Sequence, residues 1–170
     1  MLDDLQVRTA HQVDIEAILA IQAVCYTEIV PETHTSLLAK LTASPTTCVV
    51  ALLNGQIVGY LLSIPWEFAN PPTLNAQSCQ LPAVPDCLYL HDLAIAPAGR
   101  GAGVGQMLVD AFMQELHASG LHRACLIAIQ GSASYWKRFG FEPVALTQPL
   151  ADRLNTYGQG AQYLCLDLAQ

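Results

Sequence analysis

The chain has 170 residues, which is enough to bury one sizeable hydrophobic core. Of these residues 52% are hydrophobic and 12% are charged, a composition that excludes an intrinsically disordered protein. The formal net charge of −7 disfavours a nucleic-acid-binding surface, and the six cysteines lack the C-x-x-C spacing typical of zinc sites, so no metal is expected. The acidic N-terminus has no secretory signal pattern, and we therefore expect a cytoplasmic protein that does not enter a membrane.

The elements predicted along the chain form one mixed α/β domain over residues 1–170. The uncharged stretch 41–66 contains Asn54-Gly55, which predicts a hairpin rather than a membrane span. The proline-rich segment 65–86 has no periodicity and is expected to be a functional or mobile loop. The predicted strands cover residues 5–10, 46–53, 56–64, 87–96, 123–129, 141–146 and 161–168, and the predicted helices cover 13–26, 31–41, 104–119 and 132–140.

Four glycines lie within seven residues, from Gly99 to Gly105, between a predicted strand and a predicted helix. This loop has no lysine of the P-loop kind, and it fails the G-x-G-x-x-G dinucleotide fingerprint in both registers. The hexapeptide that begins at Arg100 instead fits Arg/Gln-x-x-Gly-x-Gly/Ala. Glycines let the backbone approach a pyrophosphate closely, and the N–H groups at a helix start attract an anion.

The charges are distributed unevenly along the chain. Residues 1–99 carry two basic and nine acidic side chains, whereas residues 100–170 carry five of each. This distribution fits a polyanionic cofactor bound beside an acidic half that receives a cationic substrate.

Two further motifs flank the glycine loop. The segment Leu93-Ala94-Ile95-Ala96-Pro97 precedes it, and Trp136-x-x-x-Gly140-Phe141 follows one strand later. Over residues 88–143 this order of motifs resembles the GCN5-related N-acetyltransferase (GNAT) superfamily. The resemblance implies an α/β (α+β) GNAT fold, with a single mixed, mostly antiparallel sheet of about seven strands, splayed in the middle and flanked by about four helices. It also implies acetyl-CoA as the cofactor and, by family analogy, a homodimer.

The resemblance further implies the cofactor contacts. The glycine loop would bind the pyrophosphate through backbone N–H groups, the strand before it would pair with the pantetheine arm, and Lys137 and Arg138 would reach the adenosine 3′-phosphate. The cofactor-binding residues assigned in this way are Leu93, Ala94, Ile95, Arg100, Gly101, Ala102, Gly103, Val104, Gly105, Gln106, Ser132, Tyr135, Lys137 and Arg138.

His91 is the candidate general base. Acetyl transfer to an amine requires a proton acceptor, and an imidazole titrates near neutral pH. In the family this position often carries a glutamate, and in serotonin N-acetyltransferase it carries a histidine. Regular strand alternation would place His91 on one face with Tyr89 and Leu93, and Asp92 on the other face.

The sequence departs from the family at the general acid. Trp136 stands where the family usually has a tyrosine, and an indole N–H does not protonate a thiolate. Either Tyr135 or Tyr89 would substitute as the catalytic acid, or the thiolate would leave without assistance.

The acceptor is expected opposite the cofactor, where Glu28, Trp66, Glu67 and Phe68 are the candidate substrate-binding residues, with Glu32 in the same segments. Carboxylates beside aromatic rings suit an ammonium group. The predicted function is acetyl transfer to the primary amine of a small molecule by direct attack in a ternary complex. Two alternatives stay open: a protein N-terminus or lysine side chain as acceptor, and a non-catalytic acyl-CoA-binding sensor domain.

Overall fold

The computed structural model describes residues 3–27 and 31–168. Seven strands and five α-helices occur in these residues, numbered here in chain order. They are β1 (Leu5–Thr9), α1 (Ile15–Cys25), α2 (His34–Ala43), β2 (Cys48–Leu53), β3 (Gln56–Trp66), β4 (Cys87–Ile95), α3 (Val104–Ser119), β5 (Arg123–Ala128), α4 (Ala133–Lys137), β6 (Glu142–Pro143), α5 (Gln148–Asn155) and β7 (Gln162–Asp167).

All seven strands form one sheet in the order β1-β2-β3-β4-β5-β7-β6. Every neighbouring pair is antiparallel except β4 and β5, which run parallel and pair only between Leu88–Leu90 and Ala124–Leu126. Because β4 continues to Ile95 without a partner on this side, the sheet is splayed in the middle. The predicted mixed, mostly antiparallel sheet of seven strands is therefore confirmed.

A β-bulge lies in the centre of β4. Leu62 of β3 pairs with Asp92, but its neighbour Ser63 pairs with Leu90, so His91 is an extra residue without an opposite partner. A bulge of this kind shifts the alternation of side chains by one position.

The bulge overturns the predicted division of faces. Leu93 packs with Leu90 in the core under α3, while Asp92 is hydrogen-bonded on the opposite face of the sheet, where His91 also finds its partner. His91 and Asp92 therefore share a face, and Leu93 does not share it. The prediction failed because strict alternation holds only where no residue is inserted.

Three hydrophobic clusters hold helices on the two faces of the sheet. The largest lies under α3, whose Leu108 and Phe112 are buried against the strands, as the 3.6-residue spacing of its apolar positions predicts. A second cluster holds α1 and α2, and a third joins α5 to β4, β5 and β7.

Several predicted boundaries are wrong. Five helices are present where about four were expected, because α5 follows Thr147 in a segment that was predicted to be without a helix. The Thr147 hydroxyl accepts from the N–H of Leu150, which is the usual N-cap arrangement. Helix α2 starts after Thr33 instead of at Pro31, and α4 covers only Ala133–Lys137 of the predicted residues 132–140.

Two strands also differ from the prediction. Strand β3 extends through Trp66, and β6 is only two residues long. Within the described residues, no helix is both long and apolar enough to cross a lipid bilayer.

Candidate functional site

A cavity of about 340 Å³ lies where β4 and β5 diverge. Its walls come from β4, the segment after β5, the end of α1 and the helix α4. The lining residues are Gln22, Cys25, Tyr26, Glu32, Leu74, Leu90, His91, Asp92, Leu93, Ala94, Ile95, Arg100, Leu126, Ile127, Ile129, Gln130, Ser132, Tyr135, Trp136 and Tyr157.

The glycine loop adjoins one end of this cavity. Gly101 and Gly103 have φ angles of +79° and +84°, a left-handed conformation that glycine adopts without strain, and a Cβ at either position would meet no atom within 4 Å. Gly103 directly precedes α3, so the first N–H groups of that helix border this open space. An anion fits here, because these donors and the helix dipole both favour negative charge.

Gly105 has a different reason for lacking a side chain. A Cβ there would lie 2.5 Å from the Tyr135 hydroxyl oxygen and 3.1 Å from Cδ1 of Ile95. Tyr135 therefore packs directly on the first turn of α3. Its own ring is contacted by the Arg138 guanidinium, whose carbon lies 5.4 Å from the ring centroid.

The structure brings most of the predicted cofactor residues together. Leu93, Ala94, Ile95, Arg100, Ser132 and Tyr135 line the cavity, and residues 101–106 follow Arg100 without interruption. Lys137 and Arg138 lie outside the lining, at the end of α4. The residues present thus fit a pyrophosphate-bearing ligand that enters along the glycine loop.

His91 is bound to a buried carboxylate. Its Nε2 lies 2.8 Å from Oε1 of Glu32, and both side chains are almost fully buried. Glu32 is ionised, because burial raises its pKa but the charge and hydrogen bond of His91 and the charge of Lys40 together bring that pKa down to about 2. Nε2 therefore donates to the carboxylate in either protonation state of the ring, and in the neutral imidazole Nδ1 is the acceptor nitrogen.

Lys40 completes this cluster from α2. Its Nζ lies 3.5 Å from Glu32 Oε1 and 3.0 Å from the Ser36 hydroxyl, with only 2% of the residue exposed. Two polar atoms of the cluster, Glu32 Oε2 and His91 Nδ1, are buried and have no hydrogen-bond partner among residues 3–27 and 31–168. Such atoms are expensive to bury, and both belong to residues that line the cavity.

Asp92 belongs to a second polar network on the same face. Tyr60 donates to its Oδ2 at 2.6 Å, and the Tyr26 hydroxyl contacts its Oδ1 and also lies 2.9 Å from the carbonyl of Leu93. Burial raises the pKa of Asp92, although both tyrosine hydrogen bonds lower it. This network ties the end of α1 to the backbone of β4 directly after the bulge.

The predicted catalytic tyrosines are separated by the fold. Tyr89 is fully buried in the cluster under α5, outside the cavity lining, and burial raises its pKa. Tyr157 lines the cavity, and its hydroxyl donates to the carbonyl of Pro72 at 2.6 Å. Tyr135 lines the cavity beside Trp136. Of the two predicted acids, Tyr135 is thus the one that borders the site.

Residues 67–86, here called the strap, reach the cavity at Leu74. The N–H of Asn75 donates to Glu32 Oε1 at 3.2 Å, and the N–H of Thr33 donates to the Asn75 side chain at 2.9 Å. A few residues earlier in the strap, Arg153 and Tyr157 donate to the carbonyls of Pro71 and Pro72. The strap therefore joins the segment before α2 to the segment of α5.

The predicted acceptor residues lie mostly away from the cavity. The indole of Trp66 donates to the carbonyl of Asn70, Phe68 stacks on Tyr163, and Glu67 is likewise outside the lining. Glu28 lies outside the described residues. Their role in acceptor binding stays a prediction.

Sequence reasoning missed three functional candidates. Lys40 sits in the last turn of α2, where a lysine usually reaches solvent, and nothing in its sequence context signals burial. Tyr26 follows α1 and Tyr157 follows α5, and both were hidden because their partners are 66 and 85 residues away along the chain. A buried lysine is signalled only by a partner of opposite charge, which in this chain is Glu32.

The comparisons with known proteins agree with the predicted family. Residues 15–141 match the acetyltransferase (GNAT) family, whereas no curated protein matches the chain. Among solved structures, the loading GNATL domain of CurA from Lyngbya majuscula superposes with a TM-score of 0.80, 13% identity, and 98% coverage of each chain.

Two further structures are similar. Ard1 from Thermoplasma volcanium has a TM-score of 0.73 and 17% identity, covering 98% of this chain and 99% of its own. YncA from Salmonella typhimurium, solved with its cofactor acetyl-CoA, has a TM-score of 0.66 and 20% identity, covering 96% of this chain and 94% of its own. The predicted enzyme class, an N-acetyltransferase, and the predicted cofactor, acetyl-CoA, are consistent with these findings. The chain belongs to the acetyltransferase (GNAT) family.

Proposed function

We propose that this protein transfers the acetyl group of acetyl-CoA to the primary amine of a small molecule by direct attack in a ternary complex. The observation that carries the proposal is the His91–Glu32 pair, 2.8 Å apart, in the wall of the cavity that the glycine loop adjoins. A proton acceptor and an anion-binding loop at one cavity are the two parts that this reaction requires.

His91 acts as the general base. Glu32 holds the proton on Nε2, so Nδ1 presents a lone pair. Acetyl-CoA supplies a thioester carbonyl. The amine nitrogen bonds to that carbonyl carbon, the amine proton passes to Nδ1 directly or through one water, and the carbon–sulfur bond breaks to release a thiolate. Tyr135, the predicted acid that lines the cavity, is the candidate to protonate the thiolate.

The strap supports a small acceptor. A neighbour in the fold, Naa50 of Arabidopsis thaliana, is described in complex with the bisubstrate analogue CoA-Ac-MVNAL, so this fold can bind a peptide. In the present chain a short part of the strap, from Pro72 to Asn75, is hydrogen-bonded to Tyr157 and to Glu32 beside the cavity, on the side where we expect the acceptor. An extended peptide would have to displace these contacts, whereas a small amine need not.

A thiol-release assay tests the proposal. The wild-type protein is given acetyl-CoA with a panel of small amines and, separately, basic peptides, at several pH values. We expect release that depends on a small amine and whose kcat/KM rises with pH through the neutral range. His91→Gln keeps the size and hydrogen bonding but not the basicity, and should lower kcat by about 10²- to 10⁴-fold.

Three results would reject parts of the proposal. Faster release with peptides than with every small amine would reject the small acceptor. Tight CoA binding without release on any acceptor would favour the sensor alternative. A His91→Gln protein with normal kcat and an unchanged pH profile would reject His91 as the base.

A further inference from the structure

The buried cluster around Glu32 contains one cation that the reaction does not obviously need. Lys40 belongs to the last turn of α2, yet its Nζ is turned inward, 3.5 Å from Glu32 Oε1 and 3.0 Å from the Ser36 hydroxyl. Burying an ion pair is often no more stabilising than filling the same volume with apolar side chains. Stability alone therefore gives little reason for a lysine at this position.

The geometry connects Lys40 to His91 through one atom. Glu32 Oε1 receives the lysine at 3.5 Å and the imidazole Nε2 at 2.8 Å, so the two groups compete for the same negative charge. The other oxygen, Oε2, is buried and has no partner in the described part of the chain. A carboxylate that faced His91 alone would hold a second proton on the ring, and an imidazolium has no lone pair with which to act as a base.

We propose that Lys40 is a positioning residue for His91 that acts through Glu32: its ammonium offsets the carboxylate charge, so Glu32 fixes the imidazole tautomer without retaining a second proton on the ring. This role rests on the proposed function of His91 as the base. It goes beyond that function because it assigns the balance of charge at the base to a residue that is not part of the cavity lining.

The other titratable groups around His91 come from four elements. Glu32 precedes α2 and Lys40 lies on it, Tyr26 follows α1, and Tyr157 follows α5, while Tyr89 and Asp92 flank His91 on β4. The tyrosines are neutral near pH 7 because burial raises the pKa of each. Glu32 and Lys40 are thus the pair whose charges the variants below remove, while Asp92 stays the same in all of them.

The test compares Lys40→Met, Glu32→Gln and the double variant with the wild-type protein. Two quantities are measured: the pH at which kcat/KM is half-maximal with the best amine of the panel, and the midpoint of the His91 imidazole titration by NMR without ligands. The His91→Gln spectrum identifies the resonance. The NMR measurement needs no turnover, so failure of this proposal and failure of the acetyltransfer proposal give different results.

The expected shifts have opposite signs. Lys40→Met leaves the carboxylate facing His91 alone, so both midpoints should rise by about two pH units, the effect of a unit charge no more than about 6 Å away at an effective dielectric near 20. Activity at pH 7 should fall about tenfold or more and recover at higher pH. Glu32→Gln leaves the ammonium and should lower both midpoints, while the double variant should return close to wild type.

Ser36→Ala is the matched control. It removes the hydroxyl that contacts Lys40 but no charge, so its midpoints should equal those of the wild type. If Lys40→Met does not fold, Glu32→Gln and the double variant still test the proposal. Adding Lys40→Met to Glu32→Gln must then reverse the downward shift of the midpoints that Glu32→Gln causes. The proposal is overturned if Lys40→Met leaves the midpoints in place, if both single variants shift them in the same direction, or if the double variant does not restore them.

Discussion

The contact between Gly105 and Tyr135 allows one prediction to be worked through in detail. Gly105 lies in the first turn of α3 with an ordinary helical backbone, so alanine should stabilise this position by about 1 kcal/mol through helix propensity. Its Cβ, however, would lie 2.5 Å from the Tyr135 hydroxyl oxygen. Displacing a packed side chain costs about 1–3 kcal/mol. We expect Gly105→Ala to destabilise the protein by about 1 kcal/mol in total.

Removing one oxygen atom should reverse this result. In Tyr135→Phe the nearest ring atom to the new Cβ is at 3.7 Å, an ordinary van der Waals contact, and the 3.1 Å contact with Ile95 Cδ1 is the main remaining restraint. In that background Gly105→Ala should be neutral or stabilising by up to about 1 kcal/mol. Urea unfolding of the four proteins at pH 7 gives the coupling energy, which we expect to be about 1–2 kcal/mol.

The control is Gly103→Ala. Its cost comes from a φ of +84°, about 1–2 kcal/mol, and no atom lies within 4 Å of its Cβ. It should therefore cost the same in the wild-type protein and in the Tyr135→Phe variant. If the free energies for Gly105→Ala and Tyr135→Phe simply add within about 0.5 kcal/mol, the steric argument for Gly105 is wrong.

Three further predictions concern the loop and the two buried carboxyl groups. Gly103→Asp should fold but weaken CoA binding about 10- to 100-fold, because a carboxylate in the open loop would repel a pyrophosphate; unchanged affinity in calorimetry would contradict the loop assignment. Asp92→Asn should keep one acceptor for Tyr60 and lose little stability. Asp92→Ala should lose about 2–4 kcal/mol, because it leaves the buried hydroxyls of Tyr26 and Tyr60 without this acceptor. Equal unfolding free energies for the two variants would refute this prediction. The pKa of Glu32 in the folded protein is about 2, below its ordinary value of 4.5. The ionised carboxylate therefore adds about 3 kcal/mol to the free energy of unfolding above pH 5, and this contribution is lost as the pH falls towards 2. Urea unfolding should show a steeper loss of stability towards acid pH in the wild type than in Glu32→Gln.

The sequence was informative where a motif is local. The glycine loop, the strand before it and the helix α3 could be predicted because periodicity and glycine positions act over a few residues. Helix α5 was missed because its segment has few apolar residues, and its signals, the Thr147 cap and a following proline, are weak by themselves.

The site depends on features that no local pattern reveals. The bulge at His91 requires knowledge of the register with β3, and it decides which face His91 and Asp92 share. The pairing of His91 with Glu32 joins residues 59 positions apart, and the strap is held largely through backbone carbonyls, which every residue has. Identity of the side chains therefore indicated the chemistry, while tertiary contacts determined which of them meet.

The short parallel pairing between β4 and β5 has a mechanical consequence. Eight residue pairs join β3 to β4 and six join β5 to β7, but three join β4 to β5, the fewest of the junctions that lie between β1 and β7. Backbone pairing therefore holds the two halves of the sheet together least strongly along this line. A ligand lodged between β4 and β5 spans that line, and its binding energy would add directly to the cohesion of the two halves.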